Sequence, residues 1–210
     1  MSDAKLRERF GRLWKRLGAG GDGGLADQLV RAYAEPHRRY HGLDHLRDCL
    51  AQLDAAPADE KERELAEIAL WFHDAVFTPS RADNEARSAD WAADAMLQAG
   101  MSEVRAREVA RLIRATDHIR PATDTTGALV CDVDLSILGR APSAFEEYER
   151  RIREEYRGVP ERLYRQGRSA VLSRFLTRDQ IYQSAYFRDR YESAARRNLI
   201  QALERLKPPA

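Results

Sequence analysis

The stretch ELAEIALWFHDAVF, residues 64 to 77, decides the fold class and the position of the candidate site. Apolar residues recur in it every three or four positions, which is the spacing of one face of an α-helix. The residues on this face are Leu65, Ile68, Ala69, Phe72 and Val76. His73 and Asp74 interrupt the face where it should be most buried. Because a buried carboxylate without a partner costs several kcal/mol, we expect Asp74 to meet a cation, a metal ion or several hydrogen-bond donors.

Helical spacing continues on both sides of this stretch, beginning with an apolar face over residues 6 to 17, and no segment predicts a strand. Glycine and proline supply the breaks, most clearly in GAGGDGG at 18 to 24. After the first helix, the pattern predicts helices at about 25 to 35, 43 to 55, 60 to 77, 84 to 99, 102 to 118, 127 to 139, 143 to 157, 160 to 177 and 183 to 206.

The composition predicts one compact all-α domain over residues 1 to 210. Hydrophobic residues make up 43% of the chain, which is enough for a sizeable core, and neither a repeat nor a long linker divides it. The 35 basic and 34 acidic residues nearly cancel, so we expect neither nucleic acid nor a membrane surface as a partner. Without a signal peptide or a long apolar run, we expect a cytoplasmic protein. Cys49 and Cys131 predict neither a disulfide framework nor a structural zinc site, and we expect both to be reduced and packed.

Upstream of the HD dipeptide, His41 and His45 in YHGLDH are four residues apart. They share a helix face if the helix begins at or before Gly42. Such a pair suits metal binding. It is equally the pattern of a surface histidine beside a capping one.

Downstream, GALVCDVDLSILG at 127 to 139 contains Asp132 and Asp134. Helical residues two apart point about 200° away from each other, so only one of these carboxylates can face a common site. Asp134 shares the apolar face of Val130 and Leu138 and again requires a cation. Asp132 lies nearer the edge of that face, where it supports a ligand or caps a helix.

Four of the five histidines lie in or beside these segments, at His41, His45, His73 and His118. Two imidazoles and two carboxylates form a mixed nitrogen and oxygen ligand set that suits Mn, Fe, Co, Ni, Zn or Mg. Such a set leaves open positions for water and substrate. This clustering predicts a divalent metal site.

The order YHGLDH, then HD in an apolar helix, then DVDLS resembles the H…HD…D pattern of the HD superfamily of metal-dependent phosphohydrolases, over about residues 36 to 140. NEARSADWA, LIRATDH, IYQSAYF and ESAARRNL look like a bacterial branch described as predicted metal-dependent HD phosphohydrolases. With them the resemblance extends over nearly the whole chain. It implies a helical HD-domain fold with a metal-binding core and terminal helices packed on it.

Carried over by position, the resemblance implies that His45, His73, Asp74 and Asp134 bind one or two divalent ions, with Asp74 able to bridge a pair. It also implies hydrolysis of a small phosphoester, a nucleotide or a related metabolite, by a metal-activated hydroxide.

For catalysis, the resemblance assigns roles to Asp74 and to His41. His41 matches the histidine that protonates the leaving group in cyclic-nucleotide phosphodiesterases. Their motif is YHNxxH, and this chain has Gly42 at the asparagine position.

Further residues are candidates for contacting substrate or supporting the ligands. Arg38, three residues before His41, is the favoured phosphate contact among six arginines. The six are Arg38, Arg39, Arg165, Arg168, Arg174 and Arg178. Glu85 either orients a water molecule or belongs to a helix cap. His118 binds a second metal or a phosphate, or simply ends a helix.

The sequence leaves two other classes of function open. One is a sensory or binding module that holds a metal and a nucleotide without turnover. The other is a purely helical interaction protein, which leaves His73, Asp74 and Asp134 inside apolar faces without a reason. The hydrolase alone has a use for activated water, so the sequence favours an enzyme with a small phosphorylated substrate.

Overall fold

The computed structural model describes residues 1 to 79 and 81 to 207. Over these ranges the ordered elements are α-helices and 3-10 helices, and no strand occurs in them. The all-α prediction is therefore confirmed. The α-helices are α1 (Asp3–Arg16), α2 (Leu25–Tyr33), α3 (Leu43–Ala55), α4 (Glu60–Phe72), α5 (Asn84–Gln98), α6 (Glu103–Arg114), α7 (Thr125–Asp134), α8 (Pro142–Glu155), α9 (Glu161–Leu176) and α10 (Ala185–Leu206), and 3-10 helices span Ala115–Asp117 and Leu135–Gly139.

Several helices begin where a side chain accepts a hydrogen bond from the backbone three residues later. Asp59 accepts from the N–H of Glu62 at 2.8 Å and Glu62 reaches back to Asp59, which forms a capping box at the start of α4. Ser102 and Asp124 cap α6 and α7 in the same way. Two of these capped helices, α4 and α7, lead to predicted metal ligands.

Helix α4 lies at the centre of the fold, in contact with α1, α3, α5, α6 and α7. Its residues are buried without interruption from Leu65 onward, on every face of the helix. Such a helix is typical of a core position rather than of a surface. Even Glu67 is buried, where it accepts a hydrogen bond of 2.7 Å from Arg9. The sequence pattern predicted one buried face, and the structure buries the whole second half of the helix.

The helix predicted over 60 to 77 is shorter in the structure, where α4 ends at Phe72. Two side chains take the backbone groups that would have continued it. The N–H of Asp74 donates to the hydroxyl of Tyr33 at 3.3 Å, and the carbonyl of Asp74 accepts from Arg38 at 2.6 Å. The HD dipeptide consequently lies in a braced turn at the end of α4.

The predicted helix over 127 to 139 is divided in a similar way. It is α-helical as far as Asp134 and continues as the 3-10 helix Leu135–Gly139. Side chains near and on α10 capture its carbonyls, since Tyr182 donates to Leu135 at 2.9 Å and Asn198 donates to Leu138 at 2.8 Å. Gly139 permits α10 to pack closely against this 3-10 helix, because a Cβ at Gly139 would lie 2.7 Å from the backbone oxygen of Tyr191.

The buried side chains form one hydrophobic core that draws on most of the helices. Among the described helices, none combines the length and the apolarity that crossing a bilayer requires.

Candidate metal centre

The four predicted ligands meet in one buried cluster, which we call the ligand cluster: His45, His73, Asp74 and Asp134. His45 lies in the first turn of α3, the HD dipeptide follows the end of α4, and Asp134 is the last residue of α7. The Nε2 atoms of His45 and His73 are 3.0 Å apart. Asp134 Oδ1 lies 3.1 Å from His45 Nε2, and Asp74 Oδ2 lies 3.1 Å from His73 Nε2.

These separations fit a shared ion. Nitrogen and oxygen ligands lie about 2.0 to 2.2 Å from a first-row divalent metal, so two ligands at octahedral or tetrahedral angles are roughly 2.8 to 3.6 Å apart. The two longer pairs in the cluster, His45 with Asp74 at 3.5 Å and His73 with Asp134 at 3.6 Å, also fall within this range. These five separations therefore match the spacing of ligands around one divalent ion.

The orientation of the side chains supports the same conclusion. His73 Nδ1 donates to the carbonyl of Leu70 at 2.8 Å, which leaves the lone pair of Nε2 facing the cluster. Asp74 Oδ2 is buried and, among the described residues, has no hydrogen-bond donor with acceptable geometry. A buried carboxylate oxygen without a donor is costly unless a cation faces it. A metal ion in the cluster removes that cost.

Charge in the cluster also favours a cation. Burial alone would raise the pKa of both aspartates, but the neighbouring histidines outweigh it and hold both pKa values below the usual range. Burial would lower the pKa of His73, but the negative charge of Asp74 outweighs this effect, so the pKa of His73 lies well above its usual value. Asp74 and Asp134 thus remain negatively charged, although Asp74 is buried and Asp134 is half-buried. A metal ion would displace the proton that His73 carries.

His118 holds Asp134 from the side opposite His45. Its Nε2 lies 2.8 Å from Asp134 Oδ2. Burial opposes a charge on His118, but this hydrogen bond outweighs it and raises the pKa of His118 to about 9. In this geometry His118 positions a predicted ligand, and its 2.8 Å separation from Asp134 Oδ2 also lies within the range for two ligands of one ion.

The backbone of His118 is itself unusual. Its φ is 53°, the left-handed region that costs a non-glycine residue of order 1 to 3 kcal/mol. Its carbonyl accepts a hydrogen bond from Arg178 and its N–H donates to Ala115 at 3.2 Å. These bonds hold the ring of His118 over Asp134.

Glu155 is the residue of this region that the sequence interpretation missed. Its carboxylate is fully buried at the end of α8. One oxygen accepts the backbone N–H groups of Arg39, Tyr40 and His41 at 2.8 Å each, and the other lies 2.6 Å from His41 Nδ1. The signal was present, because Glu155 follows the buried Ile152 by three residues on the same helix face.

This dyad of Glu155 and His41 sets the orientation of the imidazole. His41 precedes α3, which begins at Leu43, so the condition for His41 and His45 to share a helix face is not met. Burial would lower the pKa of His41, but the charge of Asp74 and the hydrogen bond to Glu155 outweigh it and raise the pKa. Since Nδ1 is engaged by Glu155, Nε2 is the nitrogen left for a substrate.

Arg38 does not lie where it could bind a phosphate, contrary to the sequence-based preference. Its guanidinium is buried and donates to Glu35 and to the carbonyls of His41, Asp74 and Ala75. Four of the five N–H donors of this buried side chain are thus used inside the protein, which leaves at most one for a substrate. Arg38 instead braces the turn that carries the HD dipeptide.

Asp132 and Glu85 take different positions. The carboxylate of Asp132 accepts the N–H groups of Gln183 at 2.9 Å and Ser184 at 2.7 Å, so it anchors the start of α10. Of its two predicted roles, the structure shows the capping one. Glu85 lies in the wall of the cavity at the ligand cluster, where burial raises its pKa.

Cys49 is a further neighbour of the ligand cluster. His45, Cys49, His73 and Asp134 form a buried group that could hold a metal ion. Cys49 Sγ lies 3.6 Å from His45 Nε2 and 3.8 Å from its Nδ1. The 3.6 Å separation from Nε2 also suits two ligands of one ion, so Cys49 is a candidate ligand beside Asp74, whose Oδ2 lacks a hydrogen-bond donor among the described residues.

A cavity of about 190 Å³ opens on the cluster, and we call it the metal-side cavity. Its wall includes His41, Asp74, Glu85, His118, Asp134 and Arg174. Among the described residues, the side chains of Arg174 and Arg39 make no hydrogen bond, and of these two only Arg174 lines the metal-side cavity. The side chains of the remaining candidates are engaged: Arg165 with Glu161, Arg168 with Glu149 and Arg178 with His118.

Comparison of the chain with protein-family models, with curated proteins and with solved structures gave no match.

Proposed function

We propose that this protein is a divalent-metal-dependent phosphohydrolase of the HD-domain type that acts on a small phosphoester. One observation carries the proposal: His45, His73, Asp74 and Asp134, distant in sequence, converge with metal-ligand spacing on a cavity that also receives His41. A purely structural helical protein has no need of this convergence.

Each group has a role in this proposal. An ion held by the cluster supplies Lewis acidity, since it lowers the pKa of water toward neutrality and offsets charge on phosphoryl oxygens. Arg174 contacts the phosphate in place of Arg38. Hydrolysis forms a phosphorus–oxygen bond from water and breaks the one to the alcohol. His41 gives a proton from Nε2 to the departing oxygen, and Glu155 stabilises the imidazolium before that transfer.

The first experiment measures metal content and activity together. Purified protein is analysed for bound elements and then assayed on a panel of phosphoesters with Mn, Ni, Co, Fe, Zn or Mg added. We expect one bound ion per chain and metal-dependent release of phosphate. His73→Ala should lose both. His37→Ala is the matched control and should retain both, because the contacts of His37 with the carbonyl of Phe77 and with Glu35 lie outside the cluster.

A second experiment tests the role of His41. His41→Ala should keep its metal but lose about 10² to 10⁴-fold in kcat on an alkyl phosphate, the range expected for one acid group. On p-nitrophenyl phosphate the loss should be smaller, because that leaving group needs little protonation. A metal-free variant would make His41 a ligand, and equal losses on both substrates would assign it to phosphate positioning.

A further inference from the structure

A second cavity, of about 410 Å³, lies between α8 and α9, and we call it the tyrosine cavity. Tyr148, Tyr156 and Tyr164 line it together with aliphatic side chains. His41 and Tyr148 line both this cavity and the metal-side cavity, so the two adjoin at His41. The volume is within the usual range for small-molecule sites, which are mostly apolar with few polar groups.

The charge balance of the tyrosine cavity selects against a charged ligand. Arg168 is the one arginine among its described lining residues, and its guanidinium is already paired with Glu149 and with the hydroxyl of Tyr148, the latter at 2.7 Å. The same guanidinium lies 5.0 Å from the centre of the Tyr148 ring. An uncharged flat ring suits such a wall, because it can stack on the tyrosines without leaving a charge unpaired.

Gly167 forms part of the cavity wall. It lies within α9, where glycine destabilises a helix relative to alanine, and its position is exposed. Apart from its own stretch of helix, a Cβ at Gly167 would meet none of the described atoms within 4 Å. A large side chain at this position therefore has room to turn toward the cavity.

We propose that the tyrosine cavity binds an uncharged aromatic ring in the alcohol half of the substrate. This inference rests on the proposed function, which places the phosphate at the ligand cluster. His41 then stands between the phosphate and the ring, beside the oxygen that departs with the alcohol. The substrate class is a phosphate monoester of an alcohol that carries an aromatic ring on a short linker.

The test uses two phosphonates, whose carbon–phosphorus bond is not hydrolysed, so that binding is measured without turnover. Calorimetry with the Mn²⁺-loaded protein compares 2-phenylethylphosphonate with ethylphosphonate. Burial of the phenyl group should make the first bind about 10- to 100-fold more tightly. Gly167→Phe fills the cavity and should reduce that preference to less than about threefold, while the affinity for ethylphosphonate stays unchanged.

Gly11→Phe is the matched control, because Gly11 is also a helical glycine with free space at its Cβ and lies on α1. It should keep the full preference. Equal affinity of the wild-type protein for both phosphonates, or an undiminished preference in Gly167→Phe, would overturn the inference. Absence of phosphatase activity alongside an intact binding preference would reject the hydrolase proposal and retain the cavity assignment.

Discussion

Replacing Glu155 by glutamine tests the most specific mechanistic element of the site. The native carboxylate accepts three backbone N–H groups at 2.8 Å and the Nδ1–H of His41 at 2.6 Å. In Glu155→Gln the single carbonyl oxygen accepts either from the backbone, with the NH₂ group facing His41, or from His41, with the NH₂ group facing the backbone donors. The imidazolium loses its negatively charged partner, and the ring can reverse its tautomer.

The magnitudes follow from those contacts. Hydrogen bonds to a charged group contribute roughly 1.5 to 3 kcal/mol each, and glutamine weakens several of them, so we expect a loss of about 3 kcal/mol. For a chain of this size that lowers Tm by about 6 to 12 °C, and the protein remains folded at 25 °C. Without its orienting carboxylate, His41 should be a poorer acid, and kcat on an alkyl phosphate should fall about 10² to 10⁴-fold.

The assay compares steady-state kinetics and metal content of Glu155→Gln, His41→Ala and the double variant. If Glu155 acts through His41, the double variant should be no slower than His41→Ala alone. Because Glu155 raises the pKa of His41, its loss should move the alkaline limb of the kcat profile to lower pH. Glu154→Gln, on the exposed face of α8, is the matched control and should be neutral. Multiplicative losses in the double variant, or full kcat in Glu155→Gln, would refute the reasoning.

Three further predictions concern the ion. Mn²⁺ at about 100 times its Kd should stabilise the wild-type protein by about 2.7 kcal/mol, a rise in Tm of roughly 5 to 11 °C that EDTA reverses and that His73→Ala does not show in a thermal melt. Asp134→Asn should weaken metal binding far more than Asp132→Asn. In urea unfolding, Asp132→Asn should instead lower the free energy of unfolding by about 1 to 3 kcal/mol. Equal losses of metal affinity in the two variants would make both carboxylates ligands. Cys49→Ser should leave the spectrum and affinity of the Co²⁺ form unchanged, whereas loss of a sulfur-to-cobalt charge-transfer band would place the thiolate in the ligand set.

Much of the fold could be predicted because amphipathic periodicity reports burial directly. The predicted helices are present, and their ends differ where tertiary contacts intervene. The end of α4 is one such place, since Tyr33 and Arg38 capture the backbone of Asp74. Contacts of this kind join residues about 40 positions apart, and local spacing contains no information about them.

The same distinction applies to the site. Asp74 and Asp134 could be predicted as site residues because each is a carboxylate on an apolar helix face. The same rule applied to α8 would have found Glu155. The direction in which a long side chain points cannot be predicted in this way, because it depends on which hydrogen-bond acceptors the fold brings near it. Arg38 has a spacing compatible with a phosphate contact, yet its guanidinium turns inward to carbonyls. Sequence alone could not distinguish these two directions.

The early ends of α4 and α7 have an electrostatic consequence. Both helices finish at the ligand cluster, so the negative ends of two helix dipoles point toward the place proposed for the ion. Each end carries about half an elementary charge and contributes roughly 0.3 to 1 kcal/mol toward holding a cation. The backbone of the fold therefore attracts positive charge to this point independently of any side chain, and a variant lacking one ligand retains that attraction.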